Sequence, residues 1–150
     1  MSARFFIDTN IFVYSFDDSN EEKREIASRL IERALTENSG VISNQVVQEF
    51  INVATKKFRI PLTPEDCRIY VEKIMTPLWE ISTSPALITE ALEIKQRWNY
   101  GFYDALILAA ALLTKCSILY SEDLQAGQRI QGLEIVNPFA DGVKDFTNDL

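Results

Sequence analysis

The sequence predicts an α/β fold, with a central, mostly parallel sheet of four to five strands and helices on both faces. Short apolar runs of strand length alternate along the chain with longer segments of helical periodicity. One of these segments, 105–113, is apolar on every side, which is typical of a helix buried inside a domain. Strands that alternate with helices are usually parallel, because a helical crossover returns the chain to the same end of the sheet.

The first half of the chain predicts two strands, each followed by a helix. The apolar run Phe5–Ile7 stops at Asp8-Thr9-Asn10, a cluster suited to a helix cap. Ser19-Asn20-Glu21-Glu22 matches a capping box, and helical periodicity continues from there to Gly40. A strand at 41–43 then leads into the next helix. The residues expected to face inward from that helix are Val46, Val47, Phe50, Ile51 and Ala54.

The second half predicts three more helices and up to three more strands. Thr63-Pro64 begins a helix that runs to about residue 76, and Ser84-Pro85 begins another that ends at 99–101. The apolar helix follows, with Asp104 at its start. The inward residues expected for the helix after Pro85 are Leu87, Ile88, Ala91, Leu92 and Ile94, and the predicted strands are 78–81, 118–120 and 133–136.

The length and composition indicate one domain over 1–150, with a core of about 4–139 and an acidic tail over 140–150. Cys67 and Cys116 are expected to be core residues in a reducing compartment, because neither lies in a metal-binding spacing. No signal-peptide segment and no apolar run of membrane-spanning length is present in the sequence. We therefore expect a soluble, cytoplasmic protein that does not bind a membrane.

Charge and composition exclude several kinds of enzyme. The chain has 22 acidic and 15 basic residues, a formal charge of −7, and no histidine. Ser-His-Asp triads, Cys-His nucleophiles and histidine zinc sites are therefore excluded. An enzyme of this composition must use carboxylates, hydroxyls, amines or a bound metal.

Four acids lie where the carboxyl ends of the predicted strands meet. Asp8 follows the first strand, Asp123 closely follows the strand at 118–120, and Asp104 opens the apolar helix. Glu49 lies in the helix after the second strand, at the border of its apolar face. Ligands of open α/β sheets bind outside this edge. Gathered carboxylates repel one another, so such a cluster persists in the charged form mainly when a cation neutralises it.

Each of the four acids also has a simpler interpretation, which the sequence leaves open. Asp8 and Asp104 could cap helices, because an aspartate at a helix start complements the helix dipole. Asp123 could be a turn residue, and Glu49 could be a solvated acid of its helix.

The motifs around these acids resemble those of the PIN-domain nucleases, and are especially similar to the toxin half of bacterial VapBC-type toxin–antitoxin pairs. The resemblance extends over nearly the whole chain, from Asp8 to Phe139. The matching motifs are Phe6-Ile7-Asp8-Thr9-Asn10, Ser43-x-x-x-x-Gln48-Glu49-Phe50, Tyr103-Asp104-Ala105-Leu106-Ile107 and Tyr120-Ser121-Glu122-Asp123-Leu124.

The resemblance implies a PIN-like α/β/α sandwich that cuts RNA with Mg²⁺ or Mn²⁺. By match of motif, the metal ligands and catalytic residues would be Asp8, Glu49, Asp104 and Asp123. Asn10 and Ser121 take polar positions that usually hydrogen-bond within the site, and Glu122 is either an auxiliary acid or a solvent-facing turn residue. The resemblance also implies an antitoxin partner and a homodimer.

The chain departs from this family at one position. Relatives with a similar Ser-Glu-Asp-Leu-Gln stretch often continue with His-Gly, whereas this chain has Ala126-Gly127. This departure allows a protein that binds substrate without cutting it.

The candidate substrate contacts are a basic cluster and one aromatic residue. Lys56, Lys57 and Arg59 lie together at the end of the Glu49 helix with few acids nearby, and lysine and arginine are the usual ligands of RNA phosphates. Tyr103 lies next to Asp104, where its ring could stack on a base. The cations between Lys23 and Arg33 alternate with glutamates, so we favour a solvated face for them.

Two alternative functions remain at this stage. One is a PIN-like module that binds RNA or protein without cutting, which the missing histidine and the acidic charge allow. The other is a phosphotransfer or phosphatase domain with Asp8 as nucleophile. Asn10 argues against the second, since haloacid-dehalogenase-like enzymes have a second aspartate there.

Overall fold

A computed structural model describes residues 3–140, so nearly all of the predicted acidic tail lies outside the described residues. The strands are β1 (Phe5–Ile7), β2 (Gly40–Ser43), β3 (Trp79–Ile81), β4 (Ile118–Tyr120), β5 (Arg129–Ile130) and β6 (Leu133–Val136). The α-helices are α1 (Thr9–Tyr14), α2 (Glu21–Thr36), α3 (Asn44–Lys56), α4 (Pro64–Tyr70), α5 (Pro85–Trp98) and α6 (Phe102–Leu113). The helical turns Val71–Met75 (π) and Thr76–Leu78 (3₁₀) join α4 to β3.

The strands form one six-stranded sheet in the order β3-β2-β1-β4-β6-β5. Every neighbouring pair is parallel except β5 with β6. The predicted fold class is therefore confirmed, and only the strand count was too low. The missed strand, β5, has two residues and an exposed Arg129, so it carries no apolar pattern. It is formed by a tight turn in which Gln131 and Gly132 both have positive φ.

The centre of the molecule is the sheet together with α6. All residues of α6 from Ala105 to Ala111 are buried, which confirms the prediction for the apolar helix. The helix begins earlier than predicted, at Phe102, and Gly101 is its N-cap, so Asp104 lies in the first turn and does not open the helix. No helix within residues 3–140 combines the length and apolar character needed to cross a membrane.

Three local predictions were wrong. Ile51 and Leu92 were expected to face inward but are 37% and 53% exposed, because each lies at the edge of the apolar arc of its helix. The N-cap of α2 is Asn20, whose side chain accepts from Lys23 N at 3.1 Å, one residue after the predicted Ser19. The end of α2 is Thr36, so Gly40 starts β2 and does not close the helix.

Glycine is required at position 40 for a steric reason. A Cβ at this position would lie 2.2 Å from the Cβ of Ala34 on α2, a distance that neither backbone allows. Glycine here lets α2 approach the start of β2 closely.

Candidate active site

The two middle strands of the sheet, β1 and β4, end side by side. They are parallel, with Ile7 opposite Tyr120. Interstrand hydrogen bonding continues into the residue after each strand: Asp8 N donates to Tyr120 O at 3.0 Å, and Ser121 N donates to Val136 O at 3.0 Å. The residues that follow both strands therefore lie at the same edge of the sheet. We call this the acidic edge and define it by Asp8, Glu49, Asp104 and Asp123.

Asp8 is the buried member of the acidic edge. Its side chain is only 7% exposed, and it is the N-cap of α1. One carboxylate oxygen, Oδ1, accepts from Thr9 N at 2.7 Å, and the other, Oδ2, accepts from Ser121 Oγ at 2.8 Å. The capping role considered from the sequence is thus present, but only one of the two oxygens serves it.

The environment of Asp8 disfavours its charged form. Burial raises the pKa of Asp8 to about 6, and the hydrogen bonds from Ser121 and Thr9 oppose this shift. The negative charges of Glu49 and Asp123 contribute to the rise, less than burial does, and are already included in the value of about 6. At neutral pH, Asp8 is therefore a carboxylate held in the folded protein at a free-energy cost.

Glu49 is held at the acidic edge by two residues that the sequence analysis did not assign to the site. Thr9 Oγ1 donates to Glu49 Oε2 at 3.0 Å, and Gln45 Nε2 donates to Glu49 Oε1 at 2.7 Å. Gln45 Nε2 also donates to the backbone oxygen of Tyr103 at 3.1 Å, which joins the start of α3 to the start of α6. The sequence held a signal for both residues, because Thr9 follows Asp8 directly and Gln45 lies one helical turn before Glu49.

Asp123 and Asp104 complete the acidic edge from the other side. Asn10 Nδ2 donates to Asp123 Oδ2 at 2.9 Å, and Ser121 Oγ accepts from Asp123 N at 3.2 Å. Asp104 is exposed in the first turn of α6. Burial, followed by the charges of Asp123 and Glu49, raises the pKa of Asp104. The four carboxylates are therefore close enough to act on one another electrostatically.

The donor chemistry of this edge fits a hard divalent cation. All four candidate ligands offer carboxylate oxygens, which Mg²⁺ and Mn²⁺ prefer. Within the described residues, no three acidic or sulfur side chains form a ready-made metal site. Of the four candidate ligands, Asp8 and Glu49 have both carboxylate oxygens already hydrogen-bonded. Mg²⁺ is compatible with such a set, because it binds one or two carboxylates directly and keeps several waters.

Glu122 fits neither interpretation considered from the sequence. Its carboxylate accepts a hydrogen bond from Tyr14 Oη on one oxygen and from Lys23 Nζ on the other, each at 2.5 Å. Burial raises its pKa, but these two hydrogen bonds outweigh burial, and the net pKa of Glu122 lies below its ordinary value. Glu122 is thus a paired side chain, neither a free acid nor a solvent-facing turn residue.

This pairing also corrects the interpretation of Lys23. It was expected to belong to a solvated face, yet its side chain is only 29% exposed and is bound to Glu122. Arg24, its neighbour, does lie on the surface, where it pairs with Asp18 at 2.8 Å.

The candidate substrate contacts are exposed, and only Tyr103 lies directly beside the acidic edge. Tyr103 is 70% exposed beside Asp104. Lys56, Lys57 and Arg59 are exposed at the far end of α3, and no ion pair involves them within residues 3–140. Lys56 follows Glu49 by seven residues, so it lies on the same helix face at about 10 Å along the axis.

The loop after Asp123 carries the departure from the expected motif. Ala126 is exposed in this loop, and the next residue, Gly127, has a φ of 88° and donates to Ile135 O at 2.8 Å. Tyr100 Oη donates to Gln128 Oε1, which ties the loop to the segment before α6. The loop is therefore held in place without any contribution from the side chain of residue 126.

An α/β fold and a group of acidic residues at the carboxyl edge of its sheet together define one class of protein domain. The sequence profile of the PIN domain matches residues 5–129. The chain therefore belongs to the PIN domain family. No match was found among curated protein sequences.

Solved structures with the same fold include bacterial toxin–antitoxin proteins. A toxin–antitoxin complex from Klebsiella pneumoniae matches with a TM-score of 0.62 and 22% identity, over 92% of this chain and 98% of the other. DNA-bound VapBC from Salmonella typhimurium matches with a TM-score of 0.62 and 23% identity, over 89% and 97%. The sarcin-ricin loop cleaving toxin VapC20 from Mycobacterium tuberculosis matches with a TM-score of 0.57 and 17% identity, over 79% and 89%.

The raised pKa of Asp8 predicts that Asp8→Asn stabilises the protein at neutral pH in the absence of divalent cations. A folded-state pKa of about 6 against 3.8 in a free side chain means that the charge opposes folding above pH 6. We expect a gain of about 1–3 kcal/mol in the free energy of unfolding at pH 7.5. As pH falls from about 6 to about 4, Asp8 takes up its proton in the folded protein and the difference should vanish. Urea unfolding between pH 4 and 7.5 measures it.

Asp17→Asn is a control for which the opposite change in stability is expected. Hydrogen bonds from Ser19 lower the pKa of Asp17, so its charge favours folding, and Asp17→Asn should lose stability at neutral pH. An Asp8→Asn protein that is less stable than wild type at pH 7.5 would contradict the electrostatic account of the acidic edge.

Proposed function

We propose that this protein is a metal-dependent endoribonuclease that hydrolyses RNA phosphodiester bonds. The observation that carries the proposal is the acidic edge, where four carboxylates from separate elements act on one another electrostatically. A structural role does not explain why a fold would keep like charges together. A bound cation does, because it offsets their repulsion.

The chain's own residues divide the work at this site. Asp8, Glu49, Asp104 and Asp123 would hold Mg²⁺ or Mn²⁺, which lowers the pKa of a coordinated water and offsets the charge of a phosphate. No histidine base is needed for this chemistry. The residues that orient these carboxylates by hydrogen bonds are Thr9, Asn10, Gln45 and Ser121.

RNA binding is supported by the charges and rings around the acidic edge. Lys56, Lys57 and Arg59, which form no ion pair within residues 3–140, would contact phosphates along the strand on either side of the cut. Tyr103 presents an exposed ring beside Asp104, and such a ring can stack on an unpaired base. The remaining surface is acidic overall, so the bound cation would contribute a large share of the attraction for RNA.

We further propose that the protein is the toxin of a type II toxin–antitoxin pair. Its similarity to a toxin–antitoxin complex, to VapBC and to a toxin that cleaves the sarcin-ricin loop supports this. The partners would then be an antitoxin protein and a second copy of the chain, in the cytoplasm. A small reading frame next to its gene would support the proposal of an antitoxin partner.

The second candidate is a PIN-domain module that binds RNA or protein without cutting. The observation in its favour is Ala126 at the position where similar motifs carry histidine. The phosphotransfer alternative is disfavoured, because the chain belongs to the PIN domain family.

Cleavage of an RNA panel separates these candidates. Wild type is expected to cut in Mg²⁺ or Mn²⁺ and to stop in EDTA, since the carboxylates have no histidine to replace the cation. Asp8→Asn and Asp104→Asn should each reduce the rate by about 100-fold or more, given that outer-shell changes alone cost 10–100-fold at metal sites.

The matched control is Glu93→Gln, which removes one negative charge from an exposed position beside Gln131, at the opposite edge of the sheet. It should cut like wild type. Cleavage by Asp8→Asn at the wild-type rate would contradict the proposed function, and wild type that binds RNA without cutting would favour the second candidate.

The basic cluster predicts a change in the salt dependence of RNA binding. Replacing Lys56, Lys57 and Arg59 with glutamine should reduce the slope of log affinity against log salt by up to about 2, at about 0.7 per lost phosphate contact with a single strand. Fluorescence anisotropy with labelled RNA in EDTA, where wild type is expected not to cut, measures this slope.

A triple variant with the same loss of charge provides the comparison. Lys73, Lys95 and Arg129 are exposed cations on other parts of the surface, and replacing them should leave the slope nearly unchanged. Equal slopes for the two triple variants would show that the basic cluster does not contact RNA.

A further inference from the structure

Lys23, Tyr14 and Glu122 form a partly buried cluster beside the acidic edge, which we call the Lys23 cluster. Lys23 Nζ and Tyr14 Oη each donate to a different oxygen of Glu122 at 2.5 Å, and Lys23 Nζ lies 3.3 Å from Tyr14 Oη. The same ammonium group lies 4.5 Å from the centre of the Tyr14 ring and 5.3 Å from that of Phe139. The side chains of Lys23 and Glu122 are 29% and 25% exposed.

The Lys23 cluster connects four separate parts of the chain. Tyr14 ends α1, Lys23 lies in the first turn of α2, Glu122 follows β4 and Phe139 follows β6. The Tyr14 and Phe139 rings meet edge to face at 4.9 Å. A charged hydrogen-bonded pair that also lies over aromatic rings has a better-defined geometry than an exposed ion pair. The cluster therefore holds Glu122 in one place.

Glu122 lies in the chain between Ser121 and Asp123, which both take part in hydrogen bonds at the acidic edge. On one side, Ser121 Oγ donates to Asp8 Oδ2 at 2.8 Å. On the other, Asn10 accepts from Glu122 N at 3.4 Å and donates to Asp123 Oδ2 at 2.9 Å. Any movement of Glu122 would therefore shift both of its neighbours, and with them the hydrogen bonds to two of the candidate cation ligands.

We propose that Lys23 and Tyr14 are positioning residues for the acidic edge. By binding both oxygens of Glu122 they hold the Ser121–Asp123 segment in register with Asp8, and so set the affinity of the edge for a divalent cation. This inference rests on the proposed function, which assigns the cation to that edge. Neither residue touches the four carboxylates of the edge, so each acts through Glu122.

The sign of the effect distinguishes positioning from simple electrostatics. Removing the positive charge of Lys23 leaves more net negative charge near the site, so electrostatics alone would tighten cation binding. Loss of positioning would weaken it. Tyr14→Phe is a second, independent variant, because it removes only the hydroxyl, changes no charge and keeps the ring against Phe139.

The experiment measures Mn²⁺ binding by electron paramagnetic resonance of the free ion, without RNA. Lys23→Met and Tyr14→Phe are each expected to weaken binding by about tenfold, the lower end of the range for outer-shell partners at metal sites. Lys23→Arg keeps the charge and the donor groups, so it should weaken Mn²⁺ binding less than Lys23→Met, although its planar guanidinium does not reproduce the compact ammonium over the two rings.

Arg24→Met is the matched control. It removes one cation from the same turn of α2, from an exposed pair with Asp18 that does not contact the Lys23 cluster. Its effect on Mn²⁺ binding should be neutral or slightly tightening, and it gives the size of the purely electrostatic term.

Hydrogen exchange provides a readout that needs no metal. The amides of Asp123 and Leu124 both donate to Ser121 Oγ, at 3.2 and 3.4 Å. They should exchange faster in Lys23→Met and Tyr14→Phe than in wild type or Arg24→Met, while the amides of α6 stay unchanged.

The two readouts also separate this inference from the proposed function. Wild type that binds no Mn²⁺ would overturn the proposed function, and the exchange rates would still test whether the Lys23 cluster holds the segment. Lys23→Met and Tyr14→Phe proteins with wild-type exchange at Asp123 and wild-type or tighter Mn²⁺ binding would overturn the positioning role.

Discussion

The parallel pairing of β1 with β4 is the constraint on which the rest of the site depends. With Ile7 opposite Tyr120, the residues that follow both strands must leave the sheet at the same edge. Asp8 and the Ser121–Asp123 segment are neighbours for that reason, although more than a hundred residues separate them in sequence. Two helices then add to this edge, α3 with Glu49 and α6 with Asp104. Carboxylates that are far apart in the chain thus come near enough for Glu49 and Asp123 to act electrostatically on both Asp8 and Asp104.

Keeping these charges together costs stability, and the structure shows how the cost is limited. Asp8 is buried, but both of its oxygens accept hydrogen bonds, which oppose the rise in its pKa. Glu49 and Asp123 also receive side-chain hydrogen bonds, from Thr9 and Asn10 respectively. These donors are neutral, so they orient the carboxylates without cancelling their charge. The negative field is therefore preserved, which is the property a cation site requires and a purely structural network does not.

The sequence predicts the fold class, places the four acids and, through the family resemblance, assigns Asn10 and Ser121 to hydrogen bonds at the site, but it does not reveal the other contacts that hold the acids. Asp8, Asp104 and Asp123 could be located because each adjoins an element with a clear apolar pattern. The role of Lys23 could not be predicted, because it depends on a contact with Glu122, which is far away in sequence, and the same holds for the contact of Gln45 with Tyr103. Alternating charges on α2 indicate a solvated helix face in general, and only the tertiary structure shows that Lys23 binds Glu122. The short strand β5 was missed for a similar reason, since the turn at 131–132 and its pairing with β6 form it.

The most direct test of this account is anomalous diffraction from crystals grown or soaked with Mn²⁺. The account predicts one or two manganese peaks at the acidic edge, among Asp8, Glu49, Asp104 and Asp123, and their loss in Asp8→Asn crystals. The peak positions would also show which carboxylates bind the ion directly and which act through water. Crystals that show no manganese at this edge, at a concentration that supports RNA cleavage in solution, would contradict the central claim.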